Sequence, residues 1–300
     1  MFYRTNVMDQ AIGVIGLGNM GSNMAATLVR KGFSVCGFDL SSDARGMASE
    51  RGIECVDDIT KLTAKCSILI LSLPKAEHVE AVCLGAQGLI HFLPANAIVI
   101  DTTTSVPETS RRVGEKLAEN DIAFLDAPVS GGPAGAAAGT MAMVIGGDEK
   151  IYQSVLPILE AMSRVRVHVG DIGAGNIAKI ANNMLAAAHL VTTAEALTLA
   201  EKAGVDPEKV LQAINAGSGR SAASEAMFPT WVMNKAYDSG FTMGLMRKDI
   251  GLAKDLAQEL DLNLPMTLQT EKLWQASSSV ISDDKDFCCI AQYTNADLFG

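Results

Sequence analysis

Residues Gly13–Ala25 read Gly-Val-Ile-Gly-Leu-Gly-Asn-Met-Gly-Ser-Asn-Met-Ala, and the fold follows from how this stretch is read. The apolar run AIGVI at 11–15 suits a buried strand, and a helical pattern follows through Met20–Lys31. Between them Gly16, Gly18 and Gly21 keep G-x-G-x-x-G spacing. The first glycine permits a tight turn, the second lets a backbone approach a pyrophosphate, and the third lets helix and strand pack closely. Leu17, Asn19 and Met20 complete the loop. The helix start adds free N–H groups and partial positive charge, which suit phosphates. A glycine triplet alone occurs in ordinary loops. Here the next strand ends at Asp39, 18 residues past Gly21, where a carboxylate can accept from an adenosine ribose 2′-hydroxyl. Triplet, strand–helix context and acid together point to a dinucleotide. A carboxylate would repel a 2′-phosphate, and the next arginine is Arg45, six residues on, so NAD is expected over NADP.

Outward from the loop, strands at Ser34–Asp39, Ser67–Leu73 (closed by Pro74), Ala97–Asp101, Ala123–Asp126, Met141–Ile145 and Val165–Val169 alternate with helical patterns at Ser42–Glu50, Pro107–Asn120 and Glu149–Met162. Such alternation predicts an α/β fold, a Rossmann-type doubly wound, mostly parallel sheet. After Gly170 the strand signal stops. Helices fit Ile177–Ala203, Pro207–Ala216, Ser221–Lys235, Leu245–Leu260 and Pro265–Ser277. The shift predicts a nucleotide-binding domain over 1–172 followed by an all-helical C-terminal domain over 173–300. There is no internal repeat, and the small-residue run Ala134–Gly139 is too short to count as low complexity.

With 300 residues, 48% of them apolar and 19% charged, the chain can build a large core and is not of disordered composition. A net charge of −10 argues against nucleic acid or an anionic membrane as partner, since both need a basic footprint. The six cysteines form no C-x-x-C pair and no metal-ligand spacing, as expected of reduced thiols in a cytoplasmic protein. The opening MFYRTNVMDQ lacks the apolar core of a signal peptide, and no unbroken 18-residue apolar stretch follows. His78, His91, His168 and His189 have no partner at catalytic or ligand spacing, and no metal site is expected.

Four segments in order carry a resemblance: Gly13–Ala25 (GVIGLGNMGSNMA), Asp126–Met141 (DAPVSGGPAGAAAGTM), Gly173–Leu185 (GAGNIAKIANNML) and Phe241–Ala253 (FTMGLMRKDIGLA). The chain resembles the β-hydroxyacid dehydrogenase family, whose best-known member is 3-hydroxyisobutyrate dehydrogenase, over about Ala11–Leu264. The resemblance implies NAD-dependent interconversion of a small 3-hydroxy acid with its aldehyde or keto acid. By itself, Ser130-Gly131-Gly132-Pro133 after a strand is either a plain Gly/Pro turn or a small anion nest. The resemblance implies that Ser130, Gly131 and Gly132 hold the substrate carboxylate. A relative acting on a sulfonate-bearing aldehyde carries arginine at the middle position, so Gly131 favours a carboxylate. Lys179 and Asn183 lie four apart, on one helix face. A lone helical lysine is usually solvated. Ile177, Ala178, Ile180 and Ala181 surround this one, however, and a desolvated amine is a suitable general base. The resemblance makes Lys179 the catalytic acid/base and Asn183 the substrate-orienting amide, with Asn182 held in reserve. It also implies that Lys248 sits beside the nicotinamide, although Arg247-Lys248-Asp249 alone would read as helix surface. Thr104, Leu73 and Pro74 fall where family members line the cofactor's path. The helical domain is implied to serve substrate binding and assembly into a homodimer or homotetramer.

One departure bears on the substrate. 3-Hydroxyisobutyrate dehydrogenases typically place tryptophan two residues after Ser-Gly-Arg, whereas this chain reads Ser218-Gly219-Arg220-Ser221-Ala222. Loss of the ring implies a pocket for something bulkier or more polar, such as a sugar acid like threonate, or the reduction of tartronate semialdehyde. A non-catalytic dinucleotide-binding protein is the reading from another class, and the lysine at 179 speaks against it. Lysine there also disfavours imine reduction, which places an acidic or phenolic group at that position.

Overall fold

The computed structural model of the chain describes residues 10–300, so the reading of the first nine residues lies outside the described ones. The chain divides into two compact units, one running up to Lys179 and the other Ile180–Gly300.

Strands of the first unit are β1 (Ile12–Ile15), β2 (Val35–Phe38), β3 (Glu54–Cys55), β4 (Ile68–Leu71), β5 (Ile98–Asp101), β6 (Ala123–Asp126), β7 (Val129–Ser130), β8 (Met141–Gly146) and β9 (Ser163–Gly170). Its helices are α1 (Asn19–Arg30), α2 (Ser42–Ser49), α3 (Ile59–Thr63), α4 (Ala76–Leu84), α5 (Pro107–Ala118), α6 (Gly132–Ala138), α7 (Glu149–Ser154) and α8 (Leu156–Met162). The sheet runs β3-β2-β1-β4-β5-β6-β8-β7, with β9 on the outer side of β8. β1 to β6 pair in parallel. β8 turns antiparallel to β6 and β7 and pairs in parallel with β9, so the expected mostly parallel sheet gains an antiparallel step at one side.

Side chains alternate between two apolar clusters, one on each sheet face. Ile12, Val14, Ile68, Ile70, Ile98 and Ile100 enter one, and Ile15, Leu69, Leu71, Val99 and Phe124 the other. Burial on both faces explains why these strands read as unbroken apolar runs in the sequence.

Long helix α9 (Ala174–Lys202) links the units. The second unit continues with α10 (Pro207–Ala216), α11 (Met243–Glu259), α12 (Pro265–Ala276), α13 (Ile290–Thr294) and α14 (Ala296–Phe299) around a core containing Trp274, Phe228, Leu190 and Ile250. Two helices expected from the sequence differ. The segment expected as one helix over Glu149–Met162 breaks at Val155, because Pro157 in the next turn cannot donate a backbone hydrogen bond. The segment expected as a helix over Ser221–Lys235 is π-wound over Ala223–Val232, with Pro229 inside it removing one rung of an α ladder. The two-residue β3 and the short α3 and α6 are too brief for a periodic signal, and nine-residue α4 falls in the stretch after Pro74 for which the sequence reading assigns no element. Among the described residues no helix is long and apolar enough to cross a membrane.

Candidate nucleotide and proton-transfer site

In the first unit the strand order reverses between β1 and β4, and the loops leaving their carboxyl ends flank the crevice where open α/β sheets bind ligands. The three glycines of the first loop have separate reasons to be glycine. Gly16 has φ +90°, and a Cβ there would lie 2.2 Å from the Ser72 carbonyl oxygen. A Cβ on Gly21 would lie 1.8 Å from the Gly16 carbonyl oxygen. Gly18 is different: its missing side chain faces open space, with nothing within 4 Å. It caps α1 without a side-chain hydrogen bond, leaving the helix N–H groups of Asn19 and Met20 accessible to a ligand. An open backbone at the middle glycine is the cradle a pyrophosphate requires, so the residues present fit NAD.

Asp39, just past β2, is held in place. Its Oδ2 accepts from the Leu17 N–H at 2.7 Å and its Oδ1 from the Ser41 N–H at 2.8 Å. Arg45 is turned towards the main chain, donating to the carbonyls of Asp39 at 2.6 Å and Leu40 at 3.2 Å. The other two strand ends are tied together: the Leu73 N–H donates to Thr103 Oγ1 at 3.1 Å, and the Thr102 hydroxyl donates to the Leu71 carbonyl at 2.6 Å. These bonds set Leu73 and Pro74, after β4, beside the loop after β5 that carries Thr104.

The same sheet edge continues through β6 into β7, which ends at Ser130. Gly131 (φ +123°) and Gly132 (φ +61°) then turn the chain into α6, a conformation side chains other than glycine rarely adopt. Lys179 of α9 is 6% exposed, and its Nζ donates to Ser130 Oγ at 2.8 Å. The structure therefore joins two candidate residues that are 49 positions apart in sequence.

Two residues not named as site candidates stand behind this pair. Asp126, 0% exposed, accepts at Oδ1 from the Gly173 N–H (2.7 Å) and at Oδ2 from the Asn176 N–H (2.8 Å). Burial pushes its carboxyl up to about 6, although the backbone N–H groups of Gly173 and Asn176 pull it down. Buried Asn176 accepts from the Ser105 N–H at 2.7 Å and donates to Ser110 Oγ at 3.1 Å. Both residues stood in motifs quoted from the sequence, but only the apposition of β6, α5 and α9 gives them partners.

In the second unit Asn183 is 4% exposed. Its Nδ2 donates to Asp249 Oδ2 at 2.5 Å, and its Oδ1 accepts from Asn182 at 3.0 Å. Asp249 is 2% exposed, with Lys248 Nζ 3.1 Å from its Oδ1. The charged trio on α11 therefore divides. Arg247 turns inward to the Trp274 and Ile281 carbonyls, Ser277 Oγ and Asp283, while the Lys248 side chain is 25% exposed. Among the described residues no group of three His, Cys, Asp or Glu side chains is arranged to hold a metal ion.

Comparison with known proteins bears on both units. Residues 11–173 match the model of the NAD-binding domain of 6-phosphogluconate dehydrogenase, and residues 173–294 that of the NAD-binding region of NADP-dependent 3-hydroxyisobutyrate dehydrogenase. The chain is 35% identical to 2-(hydroxymethyl)glutarate dehydrogenase of Eubacterium barkeri, covering 90% of this chain and 89% of the relative. It is 37% identical to 3-hydroxyisobutyrate dehydrogenase of Pseudomonas aeruginosa, covering 93% and 96%. The solved structure of 3-hydroxyisobutyrate dehydrogenase of Mycobacterium tuberculosis with L-serine superposes with a TM-score of 0.89 at 31% identity, over 95% of this chain and 99% of that one. The chain belongs to the β-hydroxyacid dehydrogenase family, NAD-dependent oxidoreductases of small hydroxy acids.

Proposed function

We propose that this chain interconverts a small 3-hydroxy acid, bulkier or more polar than 3-hydroxyisobutyrate, with its carbonyl form, using Lys179 as the general acid/base. When bound, NAD supplies the acceptor for the hydride leaving the alcohol carbon. The protein's part is the proton. In oxidation the Lys179 amine takes the hydroxyl proton as the C–O bond becomes a carbonyl, and in reduction it returns that proton to the oxygen. Ser130 and the N–H groups of Gly131 and Gly132 hold the substrate carboxylate, and Asn183 orients the substrate. Lys248 and Thr104 attend the cofactor; the domain over 1–172 carries the nucleotide loop and the carboxylate anchor, and the helical domain over 173–300 supplies Lys179, Asn183 and the assembly surface.

The observation that supports this reading is the buried Lys179 amine donating to Ser130 Oγ at 2.8 Å, which joins the proposed proton carrier to the proposed carboxylate anchor. The substrate reading is supported by Ala222, at the position where the family resemblance implies a tryptophan. Assembly into a cytoplasmic homodimer or homotetramer belongs to the same proposal. Exposed Leu185 and Leu199 on α9 support it, and light scattering on the purified protein tests it.

NADH formation across a panel of three- to six-carbon hydroxy acids tests the substrate. L-Serine, threonate or 2-(hydroxymethyl)glutarate is expected to give a higher kcat/KM than 3-hydroxyisobutyrate. A clear preference for 3-hydroxyisobutyrate overturns the pocket argument. In reverse, Ala222→Trp is expected to shift the ratio towards 3-hydroxyisobutyrate by about tenfold, the scale of discrimination by apolar pocket shape.

A further inference from the structure

The Lys179–Ser130 contact joins two chain segments, and each segment carries a second, deeper link close by. Asp126 lies four residues before Ser130, and Asn176 three residues before Lys179, within one turn of the same helix. The Asp126 carboxylate takes the place of a local N-cap for α9, satisfying the N–H groups of Gly173 and Asn176 from 47 and 50 residues away. The Asn176 amide ties the same turn to the Ser105 N–H beyond β5 and to Ser110 of α5. The fit is close. A Cβ on Gly175 would lie 2.4 Å from the Asp126 carbonyl oxygen, and one on Gly146 would lie 2.4 Å from Asp126 Oδ1.

A helix start needs only a cap, and a serine or aspartate next to it in sequence would suffice. Here an ionisable carboxylate is fully buried instead, at the cost of desolvation, and its two oxygens address two different N–H groups of one turn. We propose that Asp126 and Asn176 are positioning residues, which lock the first turn of α9 to the carboxyl ends of β5 and β6 and so fix where the Lys179 amine stands relative to Ser130. The inference rests on the reading of Lys179 given above. An ångström of drift in a reacting group can cost about a hundredfold in rate, so a loosened clamp registers in turnover before it registers in nucleotide binding.

The test compares Asn176→Ala, Asp126→Asn and Lys179→Ala with wild type. The readouts are kcat and KM for whichever of L-serine, 3-hydroxyisobutyrate and 2-(hydroxymethyl)glutarate turns over fastest, the pH profile of kcat/KM, and NADH affinity by fluorescence. The clamp variants are expected to lose about 10- to 100-fold in kcat, with substrate KM within about threefold and NADH Kd within about twofold of wild type. Their pH profile is expected to shift, because the proton carrier no longer sits in its fixed surroundings. Asn176→Ser leaves the carboxylate untouched and reports on the same clamp should Asp126→Asn not fold. A kcat within twofold of wild type in the folded clamp variants overturns the inference. So does a loss of kcat matched by an equal loss of NADH binding, which marks a purely structural role. An inactive Lys179→Ala beside fully active clamp variants overturns the clamp alone, whereas an active Lys179→Ala overturns the reading of Lys179 and the clamp with it.

Discussion

Asp39 and Asp126 show how two carboxylates in one unit are put to different uses by their surroundings. Asp39 receives N–H groups from Leu17 and Ser41 and cannot easily turn away from a ligand at the glycine loop. A 2′-phosphate arriving there meets a fixed negative charge, while Arg45 is engaged with main-chain carbonyls. Asp39→Asn is therefore expected to raise the KM for NAD about tenfold while narrowing the preference over NADP, as steady-state kinetics with both nucleotides would measure. An unchanged NAD/NADP ratio would remove Asp39 from cofactor choice. Asp126 behaves in the opposite sense to a surface acid. Its carboxyl is raised from an ordinary value of 3.8 to about 6, chiefly by burial. Between those values the native state binds a proton more tightly than the unfolded chain, so the stability linked to this group is present at low pH and is lost as pH rises through about 6. The pH dependence of Tm between about 4 and 6.5, which spans that titration, is expected to flatten in Asp126→Asn. An identical slope in wild type and variant would show that the group is not the source.

Among the elements, the loop from β1 into α1 was the most legible from sequence, because each glycine answers to a local constraint. Gly16 turns at φ +90°, Gly21 packs against the Gly16 carbonyl oxygen, and Gly18 faces open space. Two substitutions separate packing from binding. Gly21→Ala pushes a methyl group against the Gly16 carbonyl and is expected to lower Tm by about 5–10 °C. Gly18→Ala meets nothing in the protein and is expected to leave Tm unchanged while raising the KM for NAD about tenfold or more, because the methyl group would stand in the proposed approach of the pyrophosphate. Equal effects of the two substitutions on Tm would contradict this division. Elements whose form depends on one proline or on few residues were less legible. The π-wound turn around Pro229 and the break at Val155 leave the apolar spacing helical, and spacing was all the sequence offered. The charged trio on α11 separates because adjacent helical residues point about 100° apart, which sends Arg247 into the core and leaves Lys248 partly in solvent.

At the scale of the whole molecule, α/β alternation followed by helices was readable because the parallel strands are buried on both faces and the helices after Gly170 are not interrupted by strands. What sequence could not supply was apposition. Nothing near Asp126 announces that it will cap a helix 47 residues on, and nothing near Asn176 announces Ser105. Such links depend on which strand ends face the start of α9, a property of the folded sheet. The proposed chemistry rests on one amine. Single-turnover NADH formation by Lys179→Ala, at saturating NAD with the best substrate of the panel, tests it most directly. A rate reduced by about 10²- to 10⁴-fold with NADH affinity preserved is the expected result. A rate within a fewfold of wild type would contradict the assignment of Lys179 as the proton carrier.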